Sequence, residues 1–291
     1  MMQVDCYRIK RVSIANLDLR GVPVSGISIK WPDIGFSNDM AGRLHIGTSG
    51  WSYRDWTEIF YPKHIKSSDW LTHYSQTFDC TEINSSFYRL PKQETVKGWM
   101  RKVPKDFMFC PKMSRFLTHM KKLRDPEEPL SRFFGIFQPM KKQIGPVLIQ
   151  LPKTVAFHSD VTEGFYKLLK KKYRSYSFAM EVRHDTWFTK ESIDLMKAYD
   201  VSFVMSHSGN HFPYAEHVTS HHIYFRFHGP GTLYNTKYDE ETMRKFARSF
   251  RRWLKKGHEL WIFFNNDWYG YGIENALSLR KYVLKPPAPA G

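Results

Sequence analysis

The stretch Cys80-Thr-Glu-Ile-Asn-Ser-Ser-Phe-Tyr88 passes from a short apolar run into a carboxylate, an amide, two hydroxyls and two aromatics. Residues 80–83 read as a strand, and the polar groups from Glu82 onward mark its carboxyl end. The same order recurs from Leu44 onward: an apolar run, a polar or glycine-bearing loop, then a longer amphipathic segment. Strands are expected at 44–47, 80–83, 107–112, 146–151, 177–183, 201–206, 222–228 and 259–265. Helices are expected at 68–77, 92–102, 129–142, 160–172, 189–199, 239–256 and 272–283. Between the sixth and seventh strands, His207 to His221 contains Gly209 and Pro213 and reads as a loop in place of a helix. Eight short strands alternating with helices over about 240 residues predict an α/β protein of the (β/α)8 TIM-barrel type, imperfect between strands 6 and 7, rather than a doubly wound sheet.

The expected organisation is an N-terminal extension at 1–42 outside the core, a barrel domain at 43–284 and a disordered tail at 285–291, which is rich in proline and alanine. Met40, just before the first convincing strand, suggests an internal start for the compact protein. In the 291 residues, 42% hydrophobic and 16% aromatic content exclude a disordered chain. No apolar run reaches the roughly 18 residues of a membrane span, and no secretory signal is legible. Cys6, Cys80 and Cys110 lack metal-ligand spacing and read as reduced, structural thiols of a cytoplasmic protein.

The net charge of +16 arises from 44 basic against 28 acidic residues. Such a field suits a polyanionic partner, yet the helix at 241–256 shows how much of it can be ordinary solvated surface. There Met243, Phe246, Phe250, Trp253 and Leu254 form one face and Arg244, Lys245, Arg248, Arg251, Arg252, Lys255 and Lys256 the other.

In a barrel the reactive groups stand at the carboxyl ends of the strands. Side chains two apart share a strand face, so Glu82 with Asn84, Glu181 with Arg183, Arg226 with His228, and Asn265 with Asp267 are expected to point inward as pairs, joined by Lys112 and Gln150. Glu82, Glu181, His228 and Asp267 are the candidate catalytic residues. Carboxylates in unlike environments divide acid and base roles, and histidine shuttles protons near neutral pH. Arg183 and Arg226 suit phosphate or carboxylate through the guanidinium fork. Asn84, Gln150, Asn265 and Asn266 add polar contacts, and Trp51, Tyr53, Tyr88 and Trp187 offer surfaces for stacking on a base or sugar. Gly229, Gly231, Gly270 and Gly272 place backbone N–H groups where barrels often hold phosphate. No cofactor signature is present. A divalent metal would draw on Glu82, Glu181, His228 and Asp267, but no short ligand spacing supports one. The competing structural reading of these charges is a Glu–Arg network that only orders the barrel top.

The motifs Ile46-Gly-Thr-Ser-Gly-Trp-Ser-Tyr53, Glu82-Ile-Asn-Ser-Ser-Phe-Tyr88, Val147-Leu-Ile-Gln-Leu-Pro152, Glu181-Val-Arg-His184, Phe225-Arg-Phe-His-Gly229 and Phe264-Asn-Asn-Asp267 occur in one order. With them the chain resembles the YecE-like family, a domain of unknown function, over residues 44–283. That resemblance implies a TIM barrel related in shape to the endonuclease IV and sugar isomerase barrels, with no settled reaction. Asp185 stands where the family usually has proline, Phe227 where leucine is usual, and the Tyr269-Gly-Tyr-Gly272 loop is also less usual. The leading functional expectation is an enzyme acting by carboxylate acid/base chemistry on a phosphorylated small molecule or nucleic acid, with no membrane partner. A glycosidase-like carbohydrate enzyme and a non-catalytic nucleic-acid-binding module are the alternatives.

Overall fold

The computed structural model describes residues 41–284. The expected extension and tail, with Cys6, lie almost wholly outside the described residues. Eight parallel strands follow in order: β1 Leu44–Thr48, β2 Cys80–Ile83, β3 Met108–Pro111, β4 Val147–Gln150, β5 Phe178–Glu181, β6 Val201–His207, β7 His222–Phe227 and β8 Glu259–Phe264. Six pair in a curled sheet of order β1-β8-β7-β6-β5-β4, and β2 pairs with β3 in a second. The α-helices are α1 Trp70–Tyr74, α2 Ser85–Tyr88, α3 Gln93–Met100, α4 Glu127–Phe137, α5 Ser159–Lys172, α6 Lys190–Ala198, α7 Glu240–Lys255 and α8 Tyr271–Leu284. No α-helix joins β6 to β7. Strands and long helices thus fall within a few residues of their expected positions. The four-residue α2 and a π-helical turn at Phe116–Met120 were not anticipated, because their sequences carry no helical periodicity of useful length.

The two sheets meet through short links rather than one unbroken ladder. At the β3 edge, Gly145 N donates to Phe109 O at 2.9 Å and Met113 N to Leu148 O at 2.8 Å. Between β1 and β2, the Tyr74 hydroxyl accepts from Thr48 N at 2.9 Å and reaches Cys80 O at 3.1 Å, while Thr81 Oγ1 donates to Thr48 O at 3.1 Å. Gly47 permits this approach: a Cβ there would stand 2.2 Å from Cys80 O.

Two cores result. A large one fills the space between the strands and the helices. A smaller one, on the inner face of the strands, contains Cys80, Cys110, Leu148, Ala179, Val204, Tyr224, Trp261 and Phe263. Helix α7 docks Met243, Phe246, Ala247, Phe250 and Leu254 into the larger core. Its start is fixed by Asp239, whose carboxylate accepts from Thr242 N at 2.7 Å. Cys80 and Cys110 are buried free thiols. Among the described residues no helix is long and apolar enough to cross a membrane.

Candidate active site at the carboxyl ends of the strands

The inner-face core fixes which side chains continue upward. Tyr224 is inward on β7, so Arg226 and His228 follow it; Ala179 on β5 brings Glu181 and Arg183, and Cys110 on β3 brings Lys112. Glu82 lies opposite Cys110 in the β2–β3 register.

Arg226 is the centre of the lower layer and has no solvent contact. Its Nε and Nη2 donate to Glu82 Oε1 and Oε2, both at 2.8 Å, and its Nη1 donates to Glu181 Oε2 at 2.6 Å. Tyr224 adds its hydroxyl to Glu82 Oε1 at 2.8 Å, and Ser49 Oγ lies 3.4 Å from Nη2. Glu181 Oε1 in turn accepts from Arg183 Nε at 3.0 Å and Nη2 at 2.7 Å. Burial works against charge at Glu181, but Arg183, Arg226 and the neighbouring His228 outweigh it and hold the carboxyl well below its usual range. Burial likewise opposes the Arg226 charge, and the two glutamates more than restore it. Glu82, Glu181, Arg183 and Arg226 are therefore brought together, with both glutamates engaged as ionic partners of one guanidinium.

Above this layer the polar groups are less fully engaged. The Asn265 amide nitrogen lies 3.0 Å from His228 Nδ1, so the neutral ring accepts there and carries its proton on Nε2. That nitrogen is buried without a hydrogen-bond partner, 3.8 Å from Glu181 Oε1. Burial first, then Arg226, depresses the His228 pKa well below the ordinary histidine range. Arg183 lies over the Phe212 ring at 3.8 Å, held by the loop that replaces a helix between β6 and β7. Lys112 Nζ stands 4.3 Å above the Phe87 ring and makes no ion pair with a described residue. Burial, with Arg226 next, brings its pKa down to about 7.

The β1–β8 side holds a different arrangement. The Tyr53 hydroxyl lies 2.7 Å from Ser49 O and 3.0 Å from Asp267 Oδ2. Burial, with Asp267 beside it, pushes the phenol well above its usual range, so it keeps its single proton. A carbonyl oxygen can only accept. One phenolic proton cannot serve both contacts: donated to Ser49 O, it leaves the contact to Oδ2 to a proton on Asp267, and donated to Oδ2, it leaves Ser49 O to Asn84 Nδ2. Burial, followed by the charges of Glu82 and Asp55, raises Asp267 to about 8 against the lowering by Tyr53 and Arg226. Asp267 Oδ1 and Asn84 Oδ1 are both buried without a partner, while Asn84 Nδ2 donates to Ser49 O at 2.9 Å.

Other expected residues serve the scaffold. Trp187 is buried and donates Nε1 to Val155 O at 2.9 Å. Asn266 is buried, its Nδ2 donating to Thr236 O at 2.9 Å and Asn275 Oδ1 at 3.0 Å. Gln150 Nε2 donates to Leu151 O at 3.0 Å, and Trp51 packs edge-on against Trp99 and Phe109. The four glycine N–H groups are engaged internally, Gly229 with the Tyr238 hydroxyl, Gly231 with Thr236 Oγ1, Gly270 with Asp267 O and Gly272 with Asn266 O. The glycine loops therefore offer no open phosphate cradle. Among the described residues, no group of three or more His, Cys, Asp or Glu side chains is arranged to hold a metal ion.

Every large hydrophobic side chain standing exposed among the described residues lies on a segment at this same end: Tyr88, Phe116, Met120, Tyr214, Tyr234, Trp268 and Tyr269. Sequence reasoning missed Tyr224, Ser49, His119 and Phe212 as parts of the site. Alternation backward from Arg226 would have found Tyr224, and Ser49 lies within the first glycine motif. The ring contacts had no local signal.

Residues 45–290 match the family model described as a protein of unknown function, DUF72. The UPF0759 protein YecE of Escherichia coli (strain K12) is 30% identical over 147 residues, covering 50% of this chain and 51% of that protein. The UPF0759 protein YunF of Bacillus subtilis (strain 168) is 23% identical over 165 residues, covering 53% of this chain and 57% of that protein. The chain thus spans about half the length of the curated relatives it matches. A crystal structure of a DUF72 family protein from Thermotoga maritima superposes with a TM-score of 0.73 at 28% identity, covering 83% of this chain and 99% of the other. One from Enterococcus faecalis gives 0.72 at 19% identity over 85% and 100%, a likeness of fold alone.

Proposed function

The chain belongs to the DUF72 family, and from that premise we propose that it is an enzyme acting on a phosphate-bearing substrate, nucleic acid included, at the carboxyl-end mouth of a (β/α)8 barrel. The observation that carries this reading is the contrast within the mouth. A closed ionic layer around Arg226 supports an upper layer in which Lys112, Asn84 Oδ1 and Asp267 Oδ1 have no hydrogen-bond or ion-pair partner among the described residues, and His228 Nε2, 3.8 Å from Glu181 Oε1, makes no hydrogen bond. Buried polar atoms without partners are costly, and an incoming substrate supplies what they lack.

The roles divide by side. Arg183, whose Nη1 is not used by Glu181, holds the anion, and Lys112 faces the same end of the strands. Asp267, carrying a proton, is the general acid, and Tyr53 relays to the Ser49 carbonyl the orientation that keeps it so. Glu82 and Glu181 act through Arg226: their charges fix the guanidinium and set the field under the substrate. His228 donates from Nε2. The exposed aromatics at the rim supply stacking surfaces for a base or sugar. A glycosidase that uses Glu82 and Glu181 as its carboxylate pair is less well supported, since Arg226 claims both.

Binding of a labelled single-stranded oligonucleotide and of a sugar phosphate, each titrated with salt, tests the reading. Arg183→Ala is expected to weaken binding about tenfold, the loss of one charge-assisted contact. Arg248→Glu, on the basic face of α7, should change only the nonspecific, salt-sensitive part. Equal losses from the two variants, or no binding at low salt, would refute it.

A further inference from the structure

We propose that Lys112 is a nucleophilic amine that forms an imine with an aldehyde or ketone carried by the anionic substrate; the anionic part rests on the reading above. The geometry begins with its place. Lys112 directly follows β3, two residues beyond Cys110, so it points inward one layer above Glu82. Its backbone is fixed on both sides, with N donating to Ile83 O at 3.2 Å and O accepting from Ser86 Oγ at 2.7 Å.

The amine itself is held differently from Arg226 and Arg183. Arg226 and Arg183 are bound to carboxylates, whereas Lys112 Nζ faces the Phe87 ring at 4.3 Å and no carboxylate oxygen of a described residue lies within ion-pair distance. That ring also meets the rings of His119 and Tyr88, each at 4.9 Å between centroids. Burial, with Lys112 and Arg115 adding positive charge, lowers His119 to about 4, so it is a neutral base beside the amine. A lysine tethered for anion binding alone has no need of an apolar seat. A nucleophilic one does, because desolvation between cations leaves a large share of the amine unprotonated at neutral pH, as its lowered pKa reflects.

The step balances without any further reactant. The Nζ lone pair attacks the carbonyl carbon, and the C–O π pair moves to oxygen, which takes a proton. Nitrogen loses a proton to His119 or water. A second protonation releases that oxygen as water and leaves C=N; hydrolysis reverses the sequence.

The test uses the full chain with glyceraldehyde 3-phosphate and, separately, unphosphorylated glyceraldehyde, each with sodium cyanoborohydride at neutral pH, followed by peptide mapping. The expected result is reductive labelling of Lys112 at least tenfold faster than the average lysine with the phosphorylated aldehyde, and slower labelling without the phosphate. Lys112→Arg, which keeps the charge, should lose this fast phase while other lysines label as before. Labelling spread evenly over the lysines, or an unlabelled Lys112 peptide in the wild type, overturns the proposal. Fast labelling of Lys112 by both aldehydes alike upholds the amine and removes the phosphate reading. Arg183-dependent binding of the phosphate ester with no labelling of Lys112 does the reverse.

Discussion

The strands carry one ionic cluster at each end, and the two are built differently. At the amino ends, His45 Nδ1 lies 2.8 Å from Asp79 Oδ2 and Nε2 lies 3.1 Å from Glu259 Oε1. His222 bridges the other Glu259 oxygen at 3.2 Å and Ser177 Oγ at 2.9 Å. His45 also stacks on Trp261 at 4.0 Å, closing the inner-face core from below. Each imidazole thus has a partner on both nitrogens, in a network that joins the starts of β1, β2, β5, β7 and β8. At the carboxyl ends, the lower half is as closed, around Arg226, but the upper half leaves polar atoms unanswered. Charge by itself therefore does not distinguish the two ends of this fold; incomplete pairing beside an exposed aromatic rim does.

Removing Arg226 should produce the largest effect at either end. Arg226→Met leaves Glu82 and Glu181 buried with three lost hydrogen bonds, and breaking a buried pair in this way costs roughly 3–5 kcal/mol. Urea unfolding should show that loss, and adding Glu82→Gln and Glu181→Gln should recover part of it. A loss below about 1 kcal/mol would mean that the lower layer is not the foundation of the mouth.

His45→Phe comes next, since it keeps the stack on Trp261 but removes the bridge. Burial opposes the His45 charge, but Asp79 and Glu259 outweigh it and raise the pKa to about 9. A pKa higher in the folded state gives stability that is fully present below the unfolded value near 6.5 and disappears as pH rises through about 9. Wild type should therefore lose roughly 2–3 kcal/mol more than the variant between neutral pH and pH 10, as read from unfolding curves. Ligand binding at the mouth should stay the same. A binding defect in His45→Phe would show that the two ends are coupled.

Much of this was legible because alternation is a local property. The eight strands follow from short apolar runs, the loop at His207 to His221 from Gly209 and Pro213, and the inward direction of Glu82, Glu181, Arg226 and His228 from residues two apart. Partner choice was not legible. Glu82 and Arg226 are 144 positions apart and His45 and Glu259 are 214 apart, so nothing local says that both mouth glutamates converge on one arginine or that a second cluster exists. The glycines misled for the complementary reason: a glycine turn offers N–H groups in sequence, but whether Tyr238, Thr236 or a ligand takes them is decided by packing. Trp187 and Asn266, expected as substrate contacts, were drawn into the scaffold in the same way.

The smallest stability effect should be the most informative, because its sign separates the two kinds of cluster. Asp267 is raised to about 8, so the unfolded chain ionises this carboxyl first. Its contribution opposes folding increasingly as pH rises from about 4 toward 8. Asp267→Asn keeps a donor toward Tyr53 and copies the protonated acid. The variant should match wild type near pH 3 and exceed it at pH 8, by an amount on the order of 1 kcal/mol given the partial exposure of the side chain. A paired structural carboxylate, such as Glu181 or Asp79, would show the opposite sign on the same exchange to an amide, because its lowered pKa favours the folded state at high pH. If Asp267→Asn is destabilised at pH 8, Asp267 is ionised in the fold, Tyr53 spends its proton on the carboxylate instead of on Ser49, and this side of the mouth belongs with the structural clusters. A variant that gains stability at pH 8 and loses turnover of a phosphate-bearing substrate would mark a position where the fold gives up stability to keep a proton at hand.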